Sequence, residues 1–180
     1  MKAALLISIL LATGLPALDL MSPLREYTES SGFGYRADPM GGSIERLHAG
    51  RDLRGPHNAP VLAAADGIVR EVWPPPDGYY TGHPVYGGMV RVEHTGGVFT
   101  LYGHMSAVVV TEGQPVWVGQ RIGTQGSTGL STGEHLHFEV VAAPTFTDWP
   151  GPAPDPLTDL LSAWVRTWHA LERQERGIPR

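Results

Sequence analysis

Cysteine is absent from this 180-residue chain. That excludes disulfides, thiolate metal sites, a cysteine nucleophile and lipid attachment through an N-terminal cysteine. Basic charge is scarce: 13 Lys and Arg stand against 18 Asp and Glu, for a net charge of −5. Such a chain lacks the basic surplus that neutralises phosphates, so no nucleic acid partner is expected. Long apolar runs are missing too. Residues 3–12 are broken only by Ser8, yet fall short of the about 20 apolar residues that cross a bilayer. There is no Gly-x-x-x-x-Gly-Lys loop, so no nucleotide is expected, and no His-Glu-x-x-His pair.

What abounds is turn chemistry. Gly 23 and Pro 16 together exceed a fifth of the 180 residues, with no Gly-x-x period. This points to short strands joined by many turns. Hydrophobic residues, at 42%, suffice for a buried core. Period-two alternation marks strands at 67–73, 89–94, 98–105 and 135–141, each bounded by Gly or Pro. In the first, Ile68, Val72 and Trp73 stand among polar neighbours. In the second, Val90 and Val92 oppose Arg91 and Glu93. In the third, Phe99 and Leu101 oppose Thr100, Tyr102 and His104. In the fourth, Leu136, Phe138 and Val140 turn inward, with His135, His137 and Glu139 outward. The expected fold class is mainly β, a compact antiparallel β-sheet core over residues 22–143.

Both ends differ from this middle. Residues 1–21 combine Lys2, a short apolar centre and small residues such as Ala17, which reads as a secretory signal peptide or a retained anchor. An exported protein is therefore expected: periplasmic, wall-associated or secreted. Residues 144–156 hold five prolines and read as a linker. Beyond them, Leu157, Leu160, Leu161, Trp164, Val165, Trp168 and Leu171 recur at helical spacing. The expectation over 144–180 is a Pro-rich linker and one C-terminal amphipathic helix. That helix either packs on the β domain or offers a contact for a protein partner or a membrane. Between strands, residues 74–88 form a long turn-rich loop with Tyr79, Tyr80, His83 and Tyr86, and the rings of Tyr79, Tyr80 and Tyr86 are expected to line a substrate groove.

Three histidine clusters rise above the background of eight histidines. His48 and Asp52 are four residues apart, on one face whether the backbone is helical or extended. His135 and His137 are two apart in a strand, again on one face. His104 stands in a third segment. The remaining His57, His94 and His169 are expected to be surface or satisfied core residues. A catalytic zinc site needs three N/O ligands and an open position for water. His48 and Asp52 with one of His135 and His137 would supply the ligands, leaving the other beside the metal to exchange protons. Gly129-Leu-Ser131-Thr-Gly133 matches a nucleophile elbow formally, but it leads into a strand where the elbow requires a helix.

At these residues the sequence resembles the lysostaphin-type zinc metallopeptidases, the LytM or M23 peptidase family. The resemblance runs from about Phe33 to Leu161. It is carried by FGYRADP (33–39), LHAGRDL (47–53), PVLAAADGIV (60–69), YGGMVRVEHTGGVFTLYGHMS (86–106), GQPVWVGQRIG (113–123) and GSTGLSTGEHLHFEV (126–140). The resemblance implies His48, Asp52 and His137 as ligands of one Zn²⁺ per chain, and His104 and His135 as metal-free catalytic histidines. It implies a β-sheet core with a loop-walled groove, and a zinc-dependent endopeptidase cutting peptide bonds in peptidoglycan. The other outcome in such a family is an inactive member that binds and activates other wall hydrolases. Inactive members lose ligand positions, whereas all five positions are filled here. The family's Pro-x-Gly-Thr-Pro-Val stretch is replaced by Pro56-His-Asn-Ala-Pro60-Val61. Between residues 22 and 47 there is no asparagine to act as the fourth ligand of an inhibitory segment.

Overall fold

A computed structural model describes residues 7–9, 18–38, 41, 45–77 and 82–142. In chain order the strands are β1 (Ile7–Ile9), β2 (Leu18–Leu20), β3 (Thr28–Ser31), β4 (Gly34–Ala37), β5 (Glu45–His48), β6 (Arg51–Arg54) and β7 (Pro60–Leu62). They continue as β8 (Gly67–Trp73), β9 (Gly88–His94), β10 (Val98–Met105), β11 (Ala107–Val108), β12 (Pro115–Val116), β13 (Arg121–Thr124) and β14 (Leu136–Ala142). A seven-stranded sheet runs β12-β8-β9-β10-β14-β6-β3. Smaller sheets pair β11-β13-β7, β4-β5 and β1-β2. The mainly β, antiparallel expectation holds. The chain divides into units Met1–Val140 and Val141–Arg180. The expected C-terminal helix lies outside the described residues, as does most of the 1–21 stretch. Leu18 and Leu20, within that stretch, are buried in the core, and the Met21 N–H donates to Ala64 O at 2.8 Å.

The alternation of β9 behaves as its sequence says. Val90 and Val92 are fully buried, and Arg91 and Glu93 are partly exposed. In β8 the buried residue is Val69, whereas Ile68 is 39% exposed. The register explains this. Val69 pairs with Val92 but Glu71 with Arg91, so one extra residue bulges out of β8. That bulge puts Val69 and Val72 on the same side, three residues apart. Burial of such side chains is worth roughly 1.5–3 kcal/mol each, and this drives the assembly.

A second bulge matters more. In β10, Tyr102 pairs with Val90 and Met105 with Gly88, three steps against two. His104 takes a φ of 61 there, a left-handed conformation uncommon outside glycine. Strict alternation would keep His104 on the Tyr102 face, as the sequence pattern suggested. The bulge corrects this. Tyr102 points into the core, its ring 5.3 Å from Phe138, while His104 faces the other side of the sheet, 4.7 Å from His135.

That other side is not open to water. His135, His137 and Glu139 were expected outward, yet all three are buried, and so is every residue of β10. In the 55–59 turn, Asn58 has a φ of 57, so asparagine takes the left-handed position where the family pattern has glycine. Its N–H donates to Glu134 Oε1 at 2.7 Å, and the His57 ring bonds Glu134 Oε2 at 2.7 Å. The turn is thereby tied to the loop that precedes His135.

One buried polar chain crosses the core. The Ala64 N–H donates to the Tyr102 hydroxyl at 2.8 Å, the Tyr102 and Thr100 hydroxyls share a 2.9 Å bond, and Thr100 Oγ1 meets His94 Nε2 at 2.7 Å. His94 Nδ1–H donates to Asp66 O at 2.8 Å. His94 is thus a satisfied core histidine, as expected of it. Tyr102→Phe would orphan a buried N–H, which costs about 1–3 kcal/mol. The variant should show a lower Tm in a thermal melt. A melt like wild type would mean that this chain adds no stability.

Candidate metal centre

Two strands of the main sheet and one turn bring the first three residues together. Asp52 on β6 and His137 on β14 are direct cross-strand partners. His48 ends β5, and the Ala49–Gly50 corner turns the chain so that His48 and Asp52 converge. That corner works only with glycine. A Cβ on Gly50 would lie 2.5 Å from Phe138 O and 2.8 Å from His137 Nε2.

The result is a nearly equilateral triangle. His48 Nε2 and Asp52 Oδ1, His48 Nε2 and His137 Nδ1, and His137 Nδ1 and Asp52 Oδ1 are each 3.0 Å apart. All three side chains are buried. The far nitrogen of each ring is already committed. His48 Nδ1–H donates to Gly32 O at 2.7 Å, and His137 Nε2–H donates to Glu139 Oε1 at 2.8 Å. In the neutral rings both site-facing nitrogens therefore present lone pairs, beside a carboxylate oxygen. Three acceptors at one point need a cation between them. Ligands at about 2.0–2.1 Å around a tetrahedral ion would be about 3.3–3.4 Å apart, close to this triangle. The donor set fits a divalent metal that takes nitrogen and oxygen.

The electrostatics carry the same message. Burial alone would raise the Asp52 pKa, but bonds from His135, His137 and His48 outweigh it and hold the carboxyl well below the usual range. Burial pulls His137 down, yet Asp52 and Glu139 overcome that and push it up to about 9. A positive charge is wanted here, and a metal ion must displace the proton to bind. The other oxygen of Asp52, Oδ2, meets Arg36 Nη2 at 3.2 Å.

His104 and His135 stand beside the triangle rather than in it. The His135 Nδ1–H donates to Gly133 O at 2.7 Å, and its Nε2 lies 3.3 Å from Asp52 Oδ1. The His104 Nδ1–H donates to Thr128 O at 2.7 Å. Burial, then the neighbouring His135 and His137, push the His104 pKa down to about 4, so its ring is neutral near pH 7. The structure therefore brings together all five residues singled out in the sequence. Three more were not assigned to the metal centre. Arg36 lies within the FGYRADP segment. Glu139 shares a strand face with His137, and that spacing was the available signal. Tyr86, expected as groove wall, packs its ring 5.5 Å from His137 and donates its hydroxyl to Glu139 Oε1 at 2.7 Å. Tyr79 and Tyr80 lie outside the described residues.

The sequence pattern of peptidase family M23 matches residues 46–148. The chain belongs to this family. It is 44% identical over 120 residues to the DD-carboxypeptidase/endopeptidase Mpg of Neisseria meningitidis, covering 66% of this chain and 25% of that protein. It is 38% identical over 94 residues to the peptidoglycan DD-endopeptidase ShyA of Vibrio cholerae, covering 52% of this chain and 20% of that one. The chain thus spans a quarter or less of these M23 relatives. Among solved structures it is similar to a zinc-containing peptidase from Vibrio cholerae, at 35% identity and a TM-score of 0.57, covering 71% of this chain and 39% of that one. It is also similar to the catalytic domain of lysostaphin from Staphylococcus simulans, at 29% identity and a TM-score of 0.54, covering 74% and 92%.

Gly50→Ala should break this M23 site without removing any polar group from it, because the new Cβ must push β14 and the His137 ring away. Metal titration should show affinity weakened at least tenfold. Wild-type affinity would mean that the close approach at Gly50 does not set the triangle.

Proposed function

We propose that this chain is an exported, zinc-dependent endopeptidase that cuts peptide bonds in peptidoglycan, with its catalytic domain at 22–143. The observation that carries the reading is the buried triangle of His48, Asp52 and His137 with two further imidazoles beside it. In this reading the export signal lies within residues 1–21 and ends at about Ala17, ahead of the core residue Leu18, and 144–180 is a linker and helix outside the catalytic domain. The names of the relatives, DD-carboxypeptidase/endopeptidase and DD-endopeptidase, favour the D-amino-acid cross-link between stem peptides over a bridge peptide.

His48 Nε2, Asp52 Oδ1 and His137 Nδ1 would hold the ion. Zinc bound there supplies a water ionised near neutral pH and a Lewis acid for the scissile carbonyl. The protein does the rest. His104 and His135 each spend Nδ1–H on a backbone carbonyl, which fixes the tautomer and leaves Nε2 to take up a proton. One of them takes the proton of the attacking water and passes it to the leaving amine. The other, once protonated at Nε2, donates a hydrogen bond to the developing oxyanion. Arg36 neutralises the second oxygen of Asp52, so the carboxylate offers a single oxygen to the metal. The occupancy of all five positions favours an active enzyme over an inactive activator.

Two variants test these roles. His104→Ala and His135→Ala should each retain one equivalent of zinc. Each should lose kcat on a cross-linked muropeptide dimer by the 10²–10⁴-fold typical of a general acid–base group. Near-normal turnover in either would remove that histidine from the mechanism. Mass spectrometry of muropeptides released by the wild type reads the bond choice. Intact cross-links beside cut bridge peptides would overturn the D,D assignment.

A further inference from the structure

The 83–88 turn does more than border the site. His83 N–H donates to Gly87 O at 2.7 Å and Gly87 N–H to His83 O at 2.8 Å, closing a tight loop. Within it, His83 Nδ1 accepts from both Val85 N–H and Tyr86 N–H at 3.1 Å. A side-chain acceptor thus replaces the partners that a turn so short cannot supply from its own backbone. The ring of His83 lies 4.9 Å from that of Tyr86, and Trp73 meets the other end of the row at 5.2 Å. Tyr86 is therefore fixed at backbone and ring before it reaches the metal centre.

From that position it makes two contacts of different kinds. Its hydroxyl donates to Glu139 Oε1, the same oxygen that accepts His137 Nε2–H. Its carbonyl accepts the His104 N–H at 2.6 Å, at the bulge that turns His104 toward the site. Gly103, beside that bulge, leaves room for the ring: a Cβ there would stand 3.2 Å from Tyr86 Cδ1. Neither contact reaches the atoms that would bind a metal or a substrate. Each acts on a group that does.

We infer that Tyr86 is a positioning residue, which holds Glu139 against His137 so that Nδ1 of the ligand ring stays aimed at the ion. Glu139 has two oxygens and an extended side chain, and His137 Nε2–H could be met from either oxygen. A second donor on Oε1 selects one rotamer of the carboxylate and one tilt of the imidazole. Partners of this kind typically change metal affinity by 10–100-fold when removed. The inference rests on the reading of His48, Asp52 and His137 as ligands.

The test uses the full-length chain and zinc alone. Tyr86→Phe keeps the ring, its stacking and its backbone, and deletes one hydroxyl. Zinc affinity, measured by competition with a chromophoric chelator, should weaken at least tenfold. The visible spectrum of the cobalt-loaded protein should shift as the ligand geometry relaxes. In a Glu139→Gln background the same hydroxyl deletion should cost no more than about twofold, since a neutral amide is a weaker acceptor than a carboxylate. An affinity within twofold of wild type, or a change confined to the Tm, overturns the inference. So does an equal loss in both backgrounds, which would show that the hydroxyl does not act through the Glu139 charge. A wild-type chain that takes up no zinc sinks the metal reading itself, and is distinct from a wild type that binds while Tyr86→Phe binds equally well.

Discussion

Everything near the site follows from bringing two imidazole lone pairs and a carboxylate oxygen within 3.0 Å of one another. Buried polar groups cost free energy unless they are paired, and here the paired direction points away from the shared centre. Gly32 O, Glu139 and Arg36 each occupy the outer side of one ligand. Turning the outer proton of each ring outward is what leaves the inner nitrogen bare. The surrounding polar groups are therefore a condition for the triangle. This explains why a strand as polar as β14, with His137 and Glu139 on one side and His135 just before it, is buried along that side.

Two faces of one sheet do different jobs. The apolar face is an ordinary core of Val69, Val90, Val92, Tyr102, Leu136 and Phe138. The polar face is covered by β4, β5 and the 83–88 turn, which supply Arg36, His48 and Tyr86. Closeness rather than bulk governs that second face. Gly50 and Gly103 sit where backbone or an aromatic ring passes within reach of a Cβ. The cysteine-free chain builds its rigidity from these contacts and from the Glu134 clamp on His57 and Asn58.

Much of this was legible in the sequence, for a physical reason. Period two is rigid, so the strands 67–73 and 98–105 match β8 and β10 residue for residue, and those at 89–94 and 135–141 fall within one residue of β9 and β14. The spacing of His48 and Asp52 and of His135 and His137 marked both pairs. What period two cannot carry is a break in itself. The bulge after Val69 moved burial from Ile68 to Val69, and the bulge at Gly103 and His104 moved His104 to the opposite face from Tyr102. Nor does alternation distinguish a polar face open to water from one covered by other strands. Glu139 read as solvent-facing for that reason. The pairing of Tyr86 with Glu139 spans 53 residues, and no local pattern reports it.

The break in alternation is also what makes the centre workable. Suppose that β10 had kept strict period two. His104 would then share the core with Tyr102, and a neutral imidazole there would need partners that the apolar layer lacks. One extra residue and one left-handed φ, at a cost of order 1–3 kcal/mol, shift it across the sheet. On the new face its backbone N–H finds Tyr86 O and its Nδ1–H finds Thr128 O, at 2.6 and 2.7 Å. Two hydrogen bonds offset the strain, and the free Nε2 is left beside the triangle. Strain at this residue is therefore the means by which a strand otherwise committed to the core lends one side chain to the opposite face.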